Sequence, residues 1–170
     1  MQLTGKQIIE NGIITDTRDR NTQIQQQGVD VRISKLFQLD GIGVIPLDGK
    51  MTVLPRKKEI TPHCSQIDGR WIDDWIIEPG YYEVVLEEGC KIPNNVTLHF
   101  KTRSSLVRCG AIVHSGQFDA GFETEKMGCF LQVLRKIIIY KGSRIAQAIC
   151  FTSDDVDNLY DGQFQNDRQR

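Results

Sequence analysis

Three things are missing from this sequence, and each absence narrows what the chain can do. No apolar stretch reaches the roughly 18 residues that a membrane-crossing helix needs, and the opening MQLTGKQIIE has no run of signal-peptide length. There is no excess of either charge. With 21 basic side chains against 22 acidic ones, bulk electrostatics favour neither nucleic acid nor an anionic membrane, so any phosphate chemistry has to come from local groups. No CxxC pair occurs among the five cysteines, Cys64, Cys90, Cys109, Cys129 and Cys150. Their scatter and odd number argue against a disulfide framework and against a zinc site, and predict buried reduced thiols. His63 beside Cys64 offers two metal ligands, but no second pair is spaced to complete a tetrahedral set. The expectation is a soluble, cytoplasmic protein with no nucleic-acid partner and no membrane partner.

What is present reads as one β-rich domain. The 170 residues suffice for one real core and are short for two. Thr4 followed by Gln7 forms a capping box, IIENG carries apolar residues into a last turn, and Gly12 suits a stop, which predicts a helix over 5–11. Short β-type segments follow at 29–33, 81–88, 96–100, 111–114, 129–134, 137–140 and 144–151, rich in Val, Ile and aromatics and punctuated by Gly, Pro or Asn. Many short strands with little helix predict an all-β barrel or jelly roll. Residues 48–75 read as an irregular surface excursion, with Trp71 and Trp75 packing one helical or turn face onto the body. The stretch from 152 is acidic and then polar, with Tyr160 and Phe164 as its only aromatics, so it cannot build a core. The division expected is a single β domain over 1–157 and a mobile tail over 158–170.

The segment RSSLVRCGAIVHSGQFDAGF reads as strand with chemistry at both ends. Arg103 with Ser104 and Ser105 offers several donors to an oxygen-rich anion, although an isolated RSS equally suits a solvated turn. Asp119 sits among apolar neighbours, where a carboxylate is costly unless paired or used, and an ionised one orients water for attack on an electrophile. It is also an ordinary turn residue before Ala-Gly. In GVDVRI, alternation sets Asp30 and Arg32 opposite Val29, Val31 and Ile33, so Asp30 is placed to anchor an arginine such as Arg103. Arg144 and Gln147 stand on a later strand rich in small and apolar residues.

Taken in order, GVDVRI, RSSLVR, GQFDAGF, GSRIAQ and YDGQFQND resemble the superfamily of homotrimeric dUTPases and dCTP deaminases. MQLTGKQIIENGII opens like the deaminase-type members, and only residues 40–75 carry no likeness. The resemblance implies a distorted β jelly roll, a homotrimer, and active sites at subunit interfaces that bind a nucleoside triphosphate with Mg2+ on its phosphates and no direct protein ligand to the metal. Arg103 and Ser104 would contact phosphates with Ser105 beside them, Gln147 would contribute from the fourth motif of a neighbouring chain, and Arg144 would also bind substrate. The turn of Gly116, Gln117, Phe118 and Phe122 would receive the pyrimidine and deoxyribose, with Phe122 on the sugar. Asp119 matches the carboxylate that holds the attacking water, and Asp30 supports the site from behind. In the tail, Tyr160 belongs to the last motif, Phe164 would cover the base and Arg168 would reach a phosphate.

The superfamily holds two reactions, and the sequence shares features with both. Ser104 and Arg108 match the catalytic serine and extra arginine of deaminases. The glutamate that deaminases carry on the following strand has no counterpart here, where Cys129 or Val133 stands near its place. The expected reaction is hydrolysis of dUTP to dUMP and pyrophosphate. A dCTP deaminase, bifunctional or not, and a silent deoxynucleotide-binding trimer are the alternatives.

Overall fold

In the computed structural model, which describes residues 1–47 and 52–167, three short helices accompany fourteen strands. The helices are α1 (Gly5–Glu10), α2 (Arg20–Gln23) and α3 (Ser104–Arg108). The strands are β1 (Ile14–Thr15), β2 (Ile24–Gln25), β3 (Gly28–Asp40), β4 (Arg56–Glu59), β5 (His63–Ile67), β6 (Arg70–Ile77) and β7 (Gly80–Leu86). They continue with β8 (Gly89–Lys91), β9 (Val96–Thr102), β10 (Ala111–His114), β11 (Glu123–Thr124), β12 (Gly128–Val133), β13 (Ile137–Tyr140) and β14 (Arg144–Thr152).

The main sheet runs β10-β12-β7-β3-β14-β9, with β2 and β4 also paired to β3. Its two ends come together. The Thr102 hydroxyl accepts from the Val113 N–H at 2.9 Å, and Leu98 and Phe118 exchange backbone hydrogen bonds at 3.0 and 3.1 Å. These contacts nearly close a barrel, which leaves few unpaired edges. Strand β3 serves two neighbours because a register shift between Ile33 and Lys35 bends it from β14 towards β7. The side chains of Val31, Ile33, Leu86, Leu98, Leu131 and Ala148 fill the interior. The all-β expectation holds, and α1 carries its capping box, with Thr4 N–H donating to Gln7 Oε1 at 2.9 Å.

Several expectations are corrected. Residues 103–108 are not strand: Arg103 caps a single helical turn that buries only Leu106, and Gly110 in the left-handed region (φ 88°) lets the chain return to strand at Ala111. Within 52–75 three strands, the last running on to Ile77, replace the irregular excursion expected there, and 48–51 lie outside the described residues. Asp68 and Gly69, at φ 48° and 75°, form the tight hairpin turn that joins β5 to β6. The tryptophans do not share a packing role: Trp75 is 2% exposed and its Nε1 donates to the Ile60 carbonyl at 2.8 Å, whereas Trp71 at the hairpin end is 70% exposed. Of the thiols, Cys90, Cys129 and Cys150 are buried, but Cys64 and Cys109 are exposed. No helix among the described residues is long and apolar enough to cross a membrane.

Candidate active site

The first group of site residues gathers at the Arg103 end of β9. Asp30, 2% exposed on β3, faces Gln147 across the ladder to β14, so Gln147 joins the Arg103 group within one chain and not from a neighbouring one as expected, because β14 pairs with β3. The Asp30 Oδ2 accepts from Arg103 Nε at 3.1 Å and from Arg144 Nη1 at 3.2 Å. Arg103 also donates to the Arg144 carbonyl at 3.2 Å, and Arg144 donates to the carbonyl of Thr22. Burial pushes the Asp30 carboxyl up, and the two guanidiniums and Gln147 offset only part of that rise. At the rim, Asp19 is held below the usual range chiefly by the Thr22 hydroxyl.

Behind this group lies a second network centred on the buried Glu88. Glu88 has no exposed surface; its carboxylate accepts from the Arg32 N–H, Arg32 Nε and Gln23 Nε2, each at 2.8 Å. Gln23 in turn accepts the N–H groups of Arg18 and Asp19, and Arg32 pairs with Glu87 at 2.9 Å. Each buried charge therefore has a partner, as burial demands. Arg32 is neutralised, and Gln23 ties the α2 segment to Glu88 and to the Asp30 carbonyl.

The front of the site has a different balance. Arg103 and Arg144 share the Asp30 carboxylate, and Asp19 stands near Arg144 at the rim of a polar cleft of about 530 Å³ whose guanidinium and hydroxyl donors outnumber its carboxylates. Arg103, Arg144, Arg32, Ser105, Ser143 and Thr22 line it. Such a cleft suits an oxygen-rich anion. Ser104 and Arg108 are exposed at i and i+4 on α3 and so share a face.

The second group lies elsewhere. Phe118 is pinned to Leu98 near the start of β9, and its ring packs on Phe100 and Phe122 at 5.1 and 5.5 Å. Gly116, Gln117 and Asp119 stand exposed around it. The expectation that Asp119 is desolvated by apolar neighbours is not met in the single chain, where the exposed carboxylate accepts from Gln117 Nε2 at 2.7 Å and the backbone carbonyl from the Phe122 N–H at 3.1 Å. The tail folds onto this turn. Tyr160 N–H donates to the Ala120 carbonyl at 2.9 Å, the Tyr160 ring lies 5.3 Å from Phe122, and Gln165 bonds the backbone of Gly121 and Glu123 at 2.8 and 3.0 Å. Phe164 is exposed, and Arg168 lies outside the described residues.

The two groups do not meet within one chain. From Leu98, which carries the Asp119 turn, to Arg103 the chain runs along nearly all of β9, about 16 Å at roughly 3.3 Å per residue. One chain thus presents an anion-binding half and a carboxylate half at opposite ends of the same strand. Adjoining the arginine cleft, with which it shares Ser105, Ser143 and Arg144, is a more apolar cleft of about 400 Å³ beside α3 and β13, near exposed Val107, Ile138 and Tyr140.

On β12, Cys129 and Val133 both point into the core, and burial pushes the Cys129 thiol up to about 12, so neither can shuttle protons. On the opposite face is Gln132, whose Oε1 meets His114 Nε2 at 2.9 Å. Sequence reasoning missed Gln23, Glu88, Ser143 and Thr22. Gln23 was hidden in the QIQQQ bias, and a buried Glu88 after Glu87 looks like any solvated acidic pair.

A nearly closed barrel with an arginine-lined cleft at one end of a strand and an aspartate turn at the other defines a phosphate-handling β-barrel protein. The chain belongs to the dCTP deaminase-like family, whose model matches residues 3–153. It is 36% identical over 143 residues to the deoxyuridine 5'-triphosphate nucleotidohydrolase of Methanocaldococcus jannaschii, covering 84% of this chain and 87% of that protein. It is 33% identical over 147 residues to a probable enzyme of the same name from Halobacterium salinarum, covering 86% of this chain and 85% of that one. Among solved structures, the 2'-deoxycytidine 5'-triphosphate deaminase of Agrobacterium tumefaciens shares the fold, with a TM-score of 0.61 at 16% identity over 89% of this chain. This chain spans about half the length of that protein, 48%.

Proposed function

We propose that this protein is a dUTP diphosphatase, hydrolysing dUTP to dUMP and pyrophosphate in sites shared between copies of a homotrimer. The observation that carries the reading is the separation of the two half-sites on one chain, in a sequence similar to proteins named dUTP nucleotidohydrolases. A second copy that brings its Asp119 turn to the arginine cleft of the first would complete the site and cover the apolar ground beside α3.

In the assembled site Arg103, Ser104, Ser105 and Arg144 bind the phosphate oxygens, with Asp30 and Gln147 holding the guanidiniums from behind. Gly116 and Phe118 shape the base pocket and Phe122 packs on the sugar. Asp119 accepts a hydrogen bond from a water whose oxygen attacks the α-phosphorus. The bond from that phosphorus to the bridging oxygen breaks, the electron pair leaves with pyrophosphate, and the water's proton passes through Asp119 to solvent. Mg2+ would be carried by the substrate's own phosphates, where it would neutralise part of their charge beside Arg103 and Arg144. Residues 158–170 close over the site, with Tyr160 seated on Phe122 and Phe164 and Arg168 reaching the nucleotide.

Ser104 and Arg108 on one face of α3 favour dCTP deamination as a second reading, to which Gln132 in place of a carboxylate on β12 is the obstacle. Purified protein offered dUTP and dCTP separately with magnesium separates them. We expect dUMP and pyrophosphate from dUTP and no product from dCTP; uracil nucleotides from dCTP would establish the second reading, and no turnover of either would leave a nucleotide-binding trimer.

A further inference from the structure

Asp119 must present one oxygen to water in a fixed direction, yet it is an exposed side chain on a turn. Nothing in its backbone fixes that direction. What is fixed is Phe118: it exchanges two backbone hydrogen bonds with Leu98, and its ring is held between Phe100 and Phe122. In locally extended backbone the residues on either side of such a pinned position project to the same side. Gln117 and Asp119 therefore emerge together, and the Gln117 Nε2–H donates to Asp119 Oδ1 at 2.7 Å, within the range of a charge-assisted bond.

We propose that Gln117 is a positioning residue for Asp119: it occupies Oδ1, fixes the carboxylate rotamer, and leaves Oδ2 as the acceptor for the attacking water. This rests on the reading of Asp119 given above and replaces the expectation that Gln117 contacts the pyrimidine. A carboxylate with one oxygen tied has a single productive acceptor. Untied, it samples several rotamers, and only a fraction of encounters place the water in line with the leaving oxygen.

The test is steady-state hydrolysis of magnesium dUTP by Gln117→Met, which keeps the length and loses the donor, and by Gln117→His, whose ring N–H has a similar reach. Binding of a non-hydrolysable imido analogue of dUTP is measured on each. Losing a hydrogen bond to a charged group should lower kcat about ten- to a hundredfold in Gln117→Met. We expect KM and analogue affinity to stay within about twofold, and Gln117→His to recover much of the loss. A raised KM and weakened analogue binding with kcat intact would make Gln117 a base contact and overturn the proposal, as would a wild-type kcat in Gln117→Met. Asp119→Asn is assayed alongside. If that variant retains full turnover, the reading of Asp119 fails and the proposal with it; if it is inactive while Gln117→Met is unimpaired, only the role of Gln117 fails.

Discussion

Replacing Asp30 by asparagine should harm catalysis and leave stability nearly untouched, contrary to the usual consequence of breaking a buried ion pair. Removing one partner of such a pair commonly costs about 3–5 kcal/mol, because the other charge is left buried and alone. Here the partners are not trapped: the side chains of Arg103 and Arg144 are 29% and 31% exposed, against 3% for Asp30. They can turn to water. The carboxyl of Asp30 is itself pushed up by burial more than the arginines and Gln147 pull it down, so the fold accommodates its neutral form better than its charged one. Asparagine keeps the volume and one acceptor without that desolvation cost. The net effect should lie within about 1 kcal/mol, or roughly 2–4 °C in Tm for a chain of this size.

The functional cost is of another size. Asp30 orients two guanidiniums that both face the cleft, and each charge-assisted bond is worth about 1.5–3 kcal/mol. Losing the orientation of even one should lower kcat/KM for magnesium dUTP about ten- to a hundredfold. The pH dependence follows with a definite sign. The folded chain keeps the Asp30 proton to higher pH than the unfolded chain, whose value is the ordinary 3.8. Folding therefore takes up a proton in the window above 3.8, and this group's contribution to stability grows as pH falls through it. Activity moves the other way: protonation in that window frees the arginines, so KM should climb before an ordinary aspartate would titrate, and Asp30→Asn should abolish that limb. Calorimetry and initial rates from pH 4 to 8 test both halves. A Tm loss of ten degrees or more, or wild-type kcat/KM in the variant, would refute the reasoning.

Two further predictions address assembly and the tail. Co-refolding inactive Arg103→Ala with inactive Asp119→Asn should restore roughly a quarter of wild-type activity per site, because random mixing builds that share of sites from two sound halves; no recovery would place both halves on one chain. Ending the chain at residue 157 should leave a barrel with unchanged melting but sharply reduced dUTP turnover, and full activity in that variant would make the tail a mere terminus.

What could be read from the sequence depended on whether a segment has a buried face. The segments 111–114, 137–140 and 144–151 alternate or run apolar because they line the core, and they fold as β10, β13 and β14. Strand β4 gave no signal, since all four residues of RKKE are exposed and its only reason to be extended is its ladder with the outer end of β3. The β5–β6 hairpin did carry one in Asp68–Gly69, but His63, Cys64 and Trp71 around it are exposed and mask the alternation. Helix α3 is five residues long and buries one side chain, too little for a 3.6-residue period to emerge, so a stretch of mixed polarity passed for strand.

The chemical groups were legible, and their relation in space was not. Arg103 and Asp119 are close in sequence because the chain leaves β9, makes one helical turn, runs back along β10 and returns beside the start of β9 at Phe118. That path carries the two groups apart by the length of a strand. Proximity in sequence therefore argues against a site within one subunit, and the two motifs differ in a physical way: the arginine cleft has the donors for a phosphate, with its carboxylates Asp30 and Asp19 engaged by arginines and by Thr22, while the aspartate turn presents the exposed Asp119 with no cation bonded to it among the described residues. On the proposed reading the interface and the active site share residues, so a change that separates the subunits should remove turnover without touching either half.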